Sequence, residues 1–115
     1  MIRAVIDIGT NSVRLLTAEK LPNGEWHTLQ KGLNASRLGE GMTLHSGLSE
    51  AACCRTMEAV MQFAEEAKAA GADEIRAYGT EILRASPQGK AFAAMAEEKT
   101  GIPVEILSGE MEAFY

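Results

Sequence analysis

The stretch Asp7-Ile8-Gly9-Thr10-Asn11-Ser12-Val13-Arg14-Leu15-Leu16 decides how this sequence is read. Ahead of it, Ile2 to Ile6 is a run of mostly apolar and β-branched residues, and behind it Val13 to Ala18 has the same character. Both read as strands. An acid, a glycine and three short polar side chains therefore occupy the connection between two strands. Gly9 lets the backbone come close to a ligand. Thr10, Asn11 and Ser12 bring side-chain and backbone groups, and a concavity of N–H groups suits an anion such as phosphate. Asp7, closing the first strand, can hold a divalent cation directly or through water. The same residues also make an ordinary hairpin turn, small for steric reasons, and this stretch alone does not separate the two.

Outward from that turn, Leu21-Pro22-Asn23-Gly24 is a second turn and Glu25 to Ser36 returns as a third strand, giving an antiparallel meander. Trp26, the single tryptophan, reads as packing or edge decoration. Arg37-Leu38-Gly39-Glu40-Gly41-Met42 breaks regularity with two glycines. By itself it reads first as a solvated connector and second as a cationic loop beside the phosphate turn; His45 reads as a surface residue. Ser49 caps a helix running to about Ala70, with Glu50 in its first turn and Cys53, Met57, Val60, Ala64 and Ala67 on one face. Met57 and Met61 read as core filler, and Cys53 and Cys54 as small packing residues lacking the spacing of a metal site or disulfide framework. Gly71 ends the helix.

Ile75 to Tyr78 reads as a strand parallel to the first through a right-handed crossover. Gly79-Thr80-Glu81-Ile82-Leu83-Arg84 then falls at its carboxyl end, where ligands collect in open α/β sheets. Thr80 can donate to a phosphate oxygen and Arg84 can pair with one bidentately, although singly a helix cap and a surface ion pair describe them better. Ser86-Pro87 starts a helix that carries Phe92 and Met95 inward and stops at Thr100-Gly101-Ile102-Pro103. Val104 to Leu107 is a last strand, and Ser108 to Tyr115 reads as a strand-to-helix turn and the first turn of another helix. The expected class is α/β: a mixed five-stranded sheet, an antiparallel three-strand meander followed by parallel strands, flanking helices, and the first strand in the middle. The end inside a predicted helix gives the expectation that this is the leading part of a longer protein.

Composition narrows the function. The 115 residues are 46% hydrophobic and 23% charged, the range of a globular domain or part of one. A formal net charge of -5 leaves no basic stripe for a nucleic-acid polymer, while allowing a phosphate ligand held by a few local cations and a metal. No apolar run is long enough to span a bilayer and no signal-like segment opens the chain, so a cytoplasmic protein is expected. Glu110 and Glu112 sit in the first turn of the last predicted helix, where acids stabilise without any catalytic purpose. Two residues apart, they point to different sides, so at most one faces a cleft.

Asp7 to Leu16, Arg37-Leu38-Gly39-Glu40-Gly41, Leu48-Ser49-Glu50, Gly79-Thr80 with Leu83-Arg84, and Ile106-Leu107-Ser108-Gly109 with Glu112-Ala113 occur in an order and spacing that resembles the exopolyphosphatase/guanosine pentaphosphate phosphohydrolase (Ppx/GppA) family. The resemblance spans essentially the whole chain. It implies an actin-like ATPase fold of two ribonuclease-H-like domains, this chain being most of the first. It further implies hydrolysis of terminal phosphoanhydride bonds in inorganic polyphosphate or guanosine pentaphosphate, usually with Mg²⁺. On that resemblance Gly9, Thr10, Asn11 and Ser12 form the first phosphate loop with Asp7 near the metal, Arg37 and Arg84 are cations close to the interdomain cleft, and Glu112 is the catalytic base. Thr80 joins the phosphate-binding set.

Met111 stands where many members carry a second glutamate, and Phe114-Tyr115 replaces the commoner Arg-Leu continuation. Expected partners are polyphosphate or guanosine pentaphosphate, no nucleic-acid polymer and no membrane, with a homodimer as the full-length state. The chemistry expected is phosphoryl transfer to water, which depends on positioning and on spreading negative charge. Glu112 accepts a proton from the water or aims it. With the second wall of the cleft missing, this piece alone is expected to be inactive. A non-catalytic phosphate or nucleotide sensor of the same fold is the alternative, and an actin-fold sugar or acyl kinase a more distant one.

Overall fold

The computed structural model describes residues 1–39, 48–84 and 87–106. Five strands and three helices follow one another as β1 (Ile2–Ile8), β2 (Val13–Lys20), β3 (Trp26–Asn34), α1 (Glu50–Ala69), β4 (Glu74–Gly79), α2 (Glu81–Arg84), α3 (Pro87–Thr100) and β5 (Val104–Ile106). The strands form one sheet in the order β3-β2-β1-β4-β5. β1 pairs antiparallel with β2 and β2 with β3, whereas β4 runs parallel to β1 and β5 parallel to β4. This is the expected mixed sheet, with the first strand at its centre.

Alternation along the central strands separates two faces. Ala4, Ile6 and Ile8 of β1, Val13, Leu15 and Thr17 of β2, and Ala77 of β4 are buried. All but Thr17 join one core cluster with Met57, Val60, Phe63 and Ala64 of α1, Ile82 and Leu83 of α2, and Phe92, Ala93 and Ala96 of α3. The helices therefore cover that face. On the opposite face Val5, Asp7, Arg14 and Leu16 are exposed, and no described helix covers them.

α1 starts where expected: Ser49 is its N-cap, and its hydroxyl accepts from the amide of Ala52 at 3.1 Å. Gly71 follows with φ of +82°, the left-handed conformation that ends helices and suits glycine. Gly101, at φ +72°, does the same after α3. Lys68 donates to the carbonyl of Thr100 at 3.0 Å, tying the end of α1 to the end of α3.

Several expectations need correction. β1 runs through Asp7 and Ile8, so Asp7 is a strand residue and the polar turn proper begins at Gly9. Met61 and Met95 are exposed, at 39% and 50%. Counting 100° per residue, both lie more than about 100° around their helices from the middle of the buried stripe. The inward positions belong instead to Ala52, Thr56, Ala59, Phe63 and their neighbours in α1, and to Gly89, Phe92, Ala93 and Ala96 in α3. Cys53 packs partly buried against the core, but Cys54 is exposed. Trp26 is edge decoration, its ring 5.5 Å from the Arg3 guanidinium. No helix among the described residues is long and apolar enough to cross a membrane.

Candidate anion site at the carboxyl ends of β1 and β4

The β1–β2 pairing closes at Ile8 opposite Val13, and the four residues between them fold back on themselves. The amide of Gly9 donates to the carbonyl of Ser12 at 3.0 Å. A Cβ at Gly9 would stand 3.3 Å from that same oxygen, so a side chain there requires the turn to yield by a few tenths of an ångström. Beside it, the parallel pairing of β1 with β4 runs to Ile8 opposite Gly79. It is carried one residue further by the amide of Thr80, which donates to the carbonyl of Ile8 at 3.2 Å. The chain then bends into α2, with the amide of Leu83 donating to the Thr80 carbonyl at 3.0 Å.

A third segment completes the cluster. Beyond β3, the amide of Arg37 donates to the carbonyl of Asn11 at 3.1 Å and the amide of Gly39 to the carbonyl of Thr10 at 3.0 Å. Arg37 takes φ of +54°, a conformation few side chains adopt without a compensating reason. Leu38 between them is fully buried, and Arg55 of α1 donates from Nε to the carbonyl of Ser36 at 3.1 Å. The Arg37 loop, which reads from sequence first as a solvated connector, is in fact bonded to the turn.

Among the expected phosphate-binding residues, Gly9, Thr10, Asn11, Ser12, Arg37 and Thr80 thus meet through backbone hydrogen bonds at one end of the sheet. Arg84 ends α2 four residues beyond Thr80 and is exposed. Glu112, the expected base, lies outside the described residues, as do Glu40, Gly41, Met42, His45, Ser86 and the whole stretch 107–115.

Asp7 and Thr80 also border an open groove of about 770 Å³ on the uncovered sheet face, lined as well by Arg14, Leu16, Lys31, Leu33 and Tyr78. Partial burial there pushes the Asp7 carboxyl above its ordinary range, and the Arg14 charge works against that rise. Arg14, Lys31 and Tyr78 carry no role in the sequence reading. The signal for Arg14 was the alternation Val13-Arg14-Leu15-Leu16, which places it on the face of Asp7 once the hairpin register is known. Lys31 and Tyr78 depend on pairings across β3 and β4 that local pattern does not specify.

Among the described residues no group of three or more histidines, cysteines or acids could hold a metal. Mg²⁺, however, is commonly held by one or two carboxylates together with substrate phosphates and water. The partly desolvated Asp7 carboxylate beside the Gly9–Ser12 turn fits that mode, and a cation would relieve the cost of keeping Asp7 ionised there.

Comparison with known proteins agrees with this architecture. A family model described as the Ppx/GppA phosphatase family matches residues 5–115. A guanosine-5'-triphosphate,3'-diphosphate pyrophosphatase of Vibrio vulnificus is 34% identical over 110 residues, covering 96% of this chain and 22% of the relative. The crystal structure of an exopolyphosphatase from Cytophaga hutchinsonii superposes with a TM-score of 0.91 at 25% identity, over 99% of this chain and 36% of that one. The Aquifex aeolicus Ppx/GppA family member gives a TM-score of 0.90 at 24% identity, over 97% and 36%, and supports the fold. The chain spans about a fifth to a third of the length of these relatives.

Proposed function

The chain belongs to the Ppx/GppA phosphatase family, and we propose that it supplies the first of two actin-like domains of a cytoplasmic hydrolase that removes terminal phosphate from inorganic polyphosphate or guanosine pentaphosphate. What supports this reading is the meeting of the Gly9–Ser12 turn, Thr80 and Arg37 at the carboxyl ends of β1 and β4. Open α/β sheets bind ligands at such ends.

The transition state of phosphoryl transfer spreads charge over the phosphoryl oxygens, so catalysis rests on donors aimed at them and on the placement of water. Backbone N–H groups of the turn and the Thr80 hydroxyl hold phosphate oxygens. Arg37 and Arg84 add cationic donors that suit phosphate bidentately. Glu112 accepts the proton of the attacking water or aims its lone pair at the terminal phosphorus. Asp7 would hold Mg²⁺, and the ion would supply charge neutralisation to the phosphates. Because this chain spans 22% to 36% of its relatives, it lacks activity when isolated, and the homodimer belongs to the full-length protein.

The test is Glu112→Gln in the full-length protein, with phosphate release and ligand binding measured separately. Lost turnover with retained binding supports the assignment. Unchanged turnover removes Glu112 as the base, and a wild-type protein that binds polyphosphate or guanosine pentaphosphate without hydrolysing either is a sensor of the same fold.

A further inference from the structure

Three unusual features are concentrated in four residues. Arg37 is held at φ +54°, and the Ser36 hydroxyl is buried with no hydrogen-bond partner among the described residues. Gly39 sits so close to Thr10 that a Cβ would come within 2.6 Å of the Thr10 Cγ2 and 3.3 Å of the Ile82 Cδ1. A left-handed arginine opposes folding, and so does a buried hydroxyl left without a partner among the described residues. A segment that only linked β3 to α1 would have no use for them. The segment is nevertheless pinned from below by the buried Leu38 and from α1 by Arg55.

What the segment fixes follows from peptide planarity. In a trans peptide the C=O of one residue and the N–H of the next point in opposite directions. The carbonyls of Thr10 and Asn11 are both engaged by the amides of Gly39 and Arg37. The amides on the same two peptide planes, those of Asn11 and Ser12, therefore point away from the segment. Two successive N–H groups turned to one side are the elements of an anion-binding nest. Gly39 also abuts the Thr10 methyl. Cγ2 and Oγ1 branch from the same Cβ, so any rotation that moves the methyl moves the hydroxyl with it.

We propose that Ser36–Gly39 is a positioning clamp for the anion site: it orients the Asn11 and Ser12 amides through the carbonyls it binds, and Gly39 fixes the Thr10 side chain by occupying the space beside its methyl. Gly39 and Leu38 are positioning residues and touch no ligand. Ile82 stands on the other side of the same small space, its Cδ1 3.3 Å from where a Gly39 Cβ would lie, so the clamp and the segment after Thr80 border one another. This inference rests on the hydrolase reading given above.

The experiment is a mutant cycle in the full-length protein, with phosphate release from polyphosphate and melting temperature measured for each variant. Gly39→Ala introduces the clash, and a misplacement of about 1 Å costs up to on the order of 10²-fold in turnover. At least about a tenfold fall in kcat/KM is expected. Thr10→Ser removes Cγ2 and keeps the hydroxyl. In the Gly39→Ala background it is expected to recover kcat/KM to within about threefold of Thr10→Ser alone, a coupling typical of residues in contact. The melting temperature shows the same recovery if the clash is relieved, independently of catalysis. Gly39→Ala without effect on turnover, or a double variant no better than Gly39→Ala while wild type is active, overturns the clamp and leaves the hydrolase reading standing. A wild-type protein that neither binds nor hydrolyses polyphosphate or guanosine pentaphosphate overturns that reading, and the clamp with it.

Discussion

Asp7 and Arg14 stand directly opposite each other across the β1–β2 hairpin, on the sheet face that no described helix covers. Directly opposed residues on one face lie close enough to interact, and here the pair joins an acid held above its usual range to the cation that opposes that rise.

The pH dependence follows from the sign of that shift. Burial raises the Asp7 pKa above 3.8, so folding favours its protonated form relative to the unfolded chain. That stabilising contribution is complete below the unfolded value and is lost as pH rises through the higher folded value. Asp7→Asn lacks it. The stability of Asp7→Asn relative to wild type is expected to improve as pH rises from about 3.8 and then level off. In an Arg14→Met background the change should be larger and extend to higher pH. Urea unfolding across that range measures it, and a difference independent of pH contradicts the assignment.

The buried anchor of the clamp gives a second prediction. Leu38 is fully buried, and Leu38→Ala should cost about 2 to 5 kcal/mol, the range for removing a packed leucine side chain. Binding of polyphosphate should weaken in the same variant, because the turn loses its support. Full stability in chemical denaturation would place Leu38 outside the core.

Glycines around α2 should differ in a way that packing explains. A Cβ at Gly79 meets the fully buried Leu83 side chain, which must repack to make room, whereas a Cβ at Gly89 meets the Leu83 backbone, which can give less. Overpacking commonly costs about 1 to 3 kcal/mol. Gly89→Ala is expected at the upper end or beyond and Gly79→Ala lower, as read by unfolding midpoints; the reverse order contradicts the packing described.

At the start of α1, Ser49→Ala removes the hydroxyl that accepts from Ala52. About 1 kcal/mol of stability should be lost. Ser49→Asp, which restores an acceptor, should recover most of it, and equal stability for all three forms would mean the cap does not operate in solution.

Much of this architecture was legible in the sequence because local chemistry and global fold agree. The meander was visible in two strand-like runs around short turns, α1 in Ser49, its periodic apolar face and Gly71, and the end of α3 in Gly101 and Pro103. The turn between β1 and β2 was legible because Gly9 and three small polar residues stand between two strand-like runs. The faces of Met61 and Met95 were missed because a flexible apolar side chain at the margin of a helical stripe looks the same whether it packs or not. The attachment of Arg37 and Gly39 to the turn was undervalued for a different reason: the bonds that hold it are between backbone groups 26 to 29 residues apart, and side-chain pattern carries no record of them. Arg14 went unassigned until the register put it opposite Asp7.

The Gly9–Ser12 turn and the Thr80 segment are proposed to form one anion site. Diffraction from the full-length protein with a non-hydrolysable phosphate chain bound tests it most directly. Phosphate oxygens within hydrogen-bond distance of the Asn11 and Ser12 amides and of Thr80 are the predicted result. A phosphate chain bound elsewhere, with both of those places making no contact to it, would exclude a shared site.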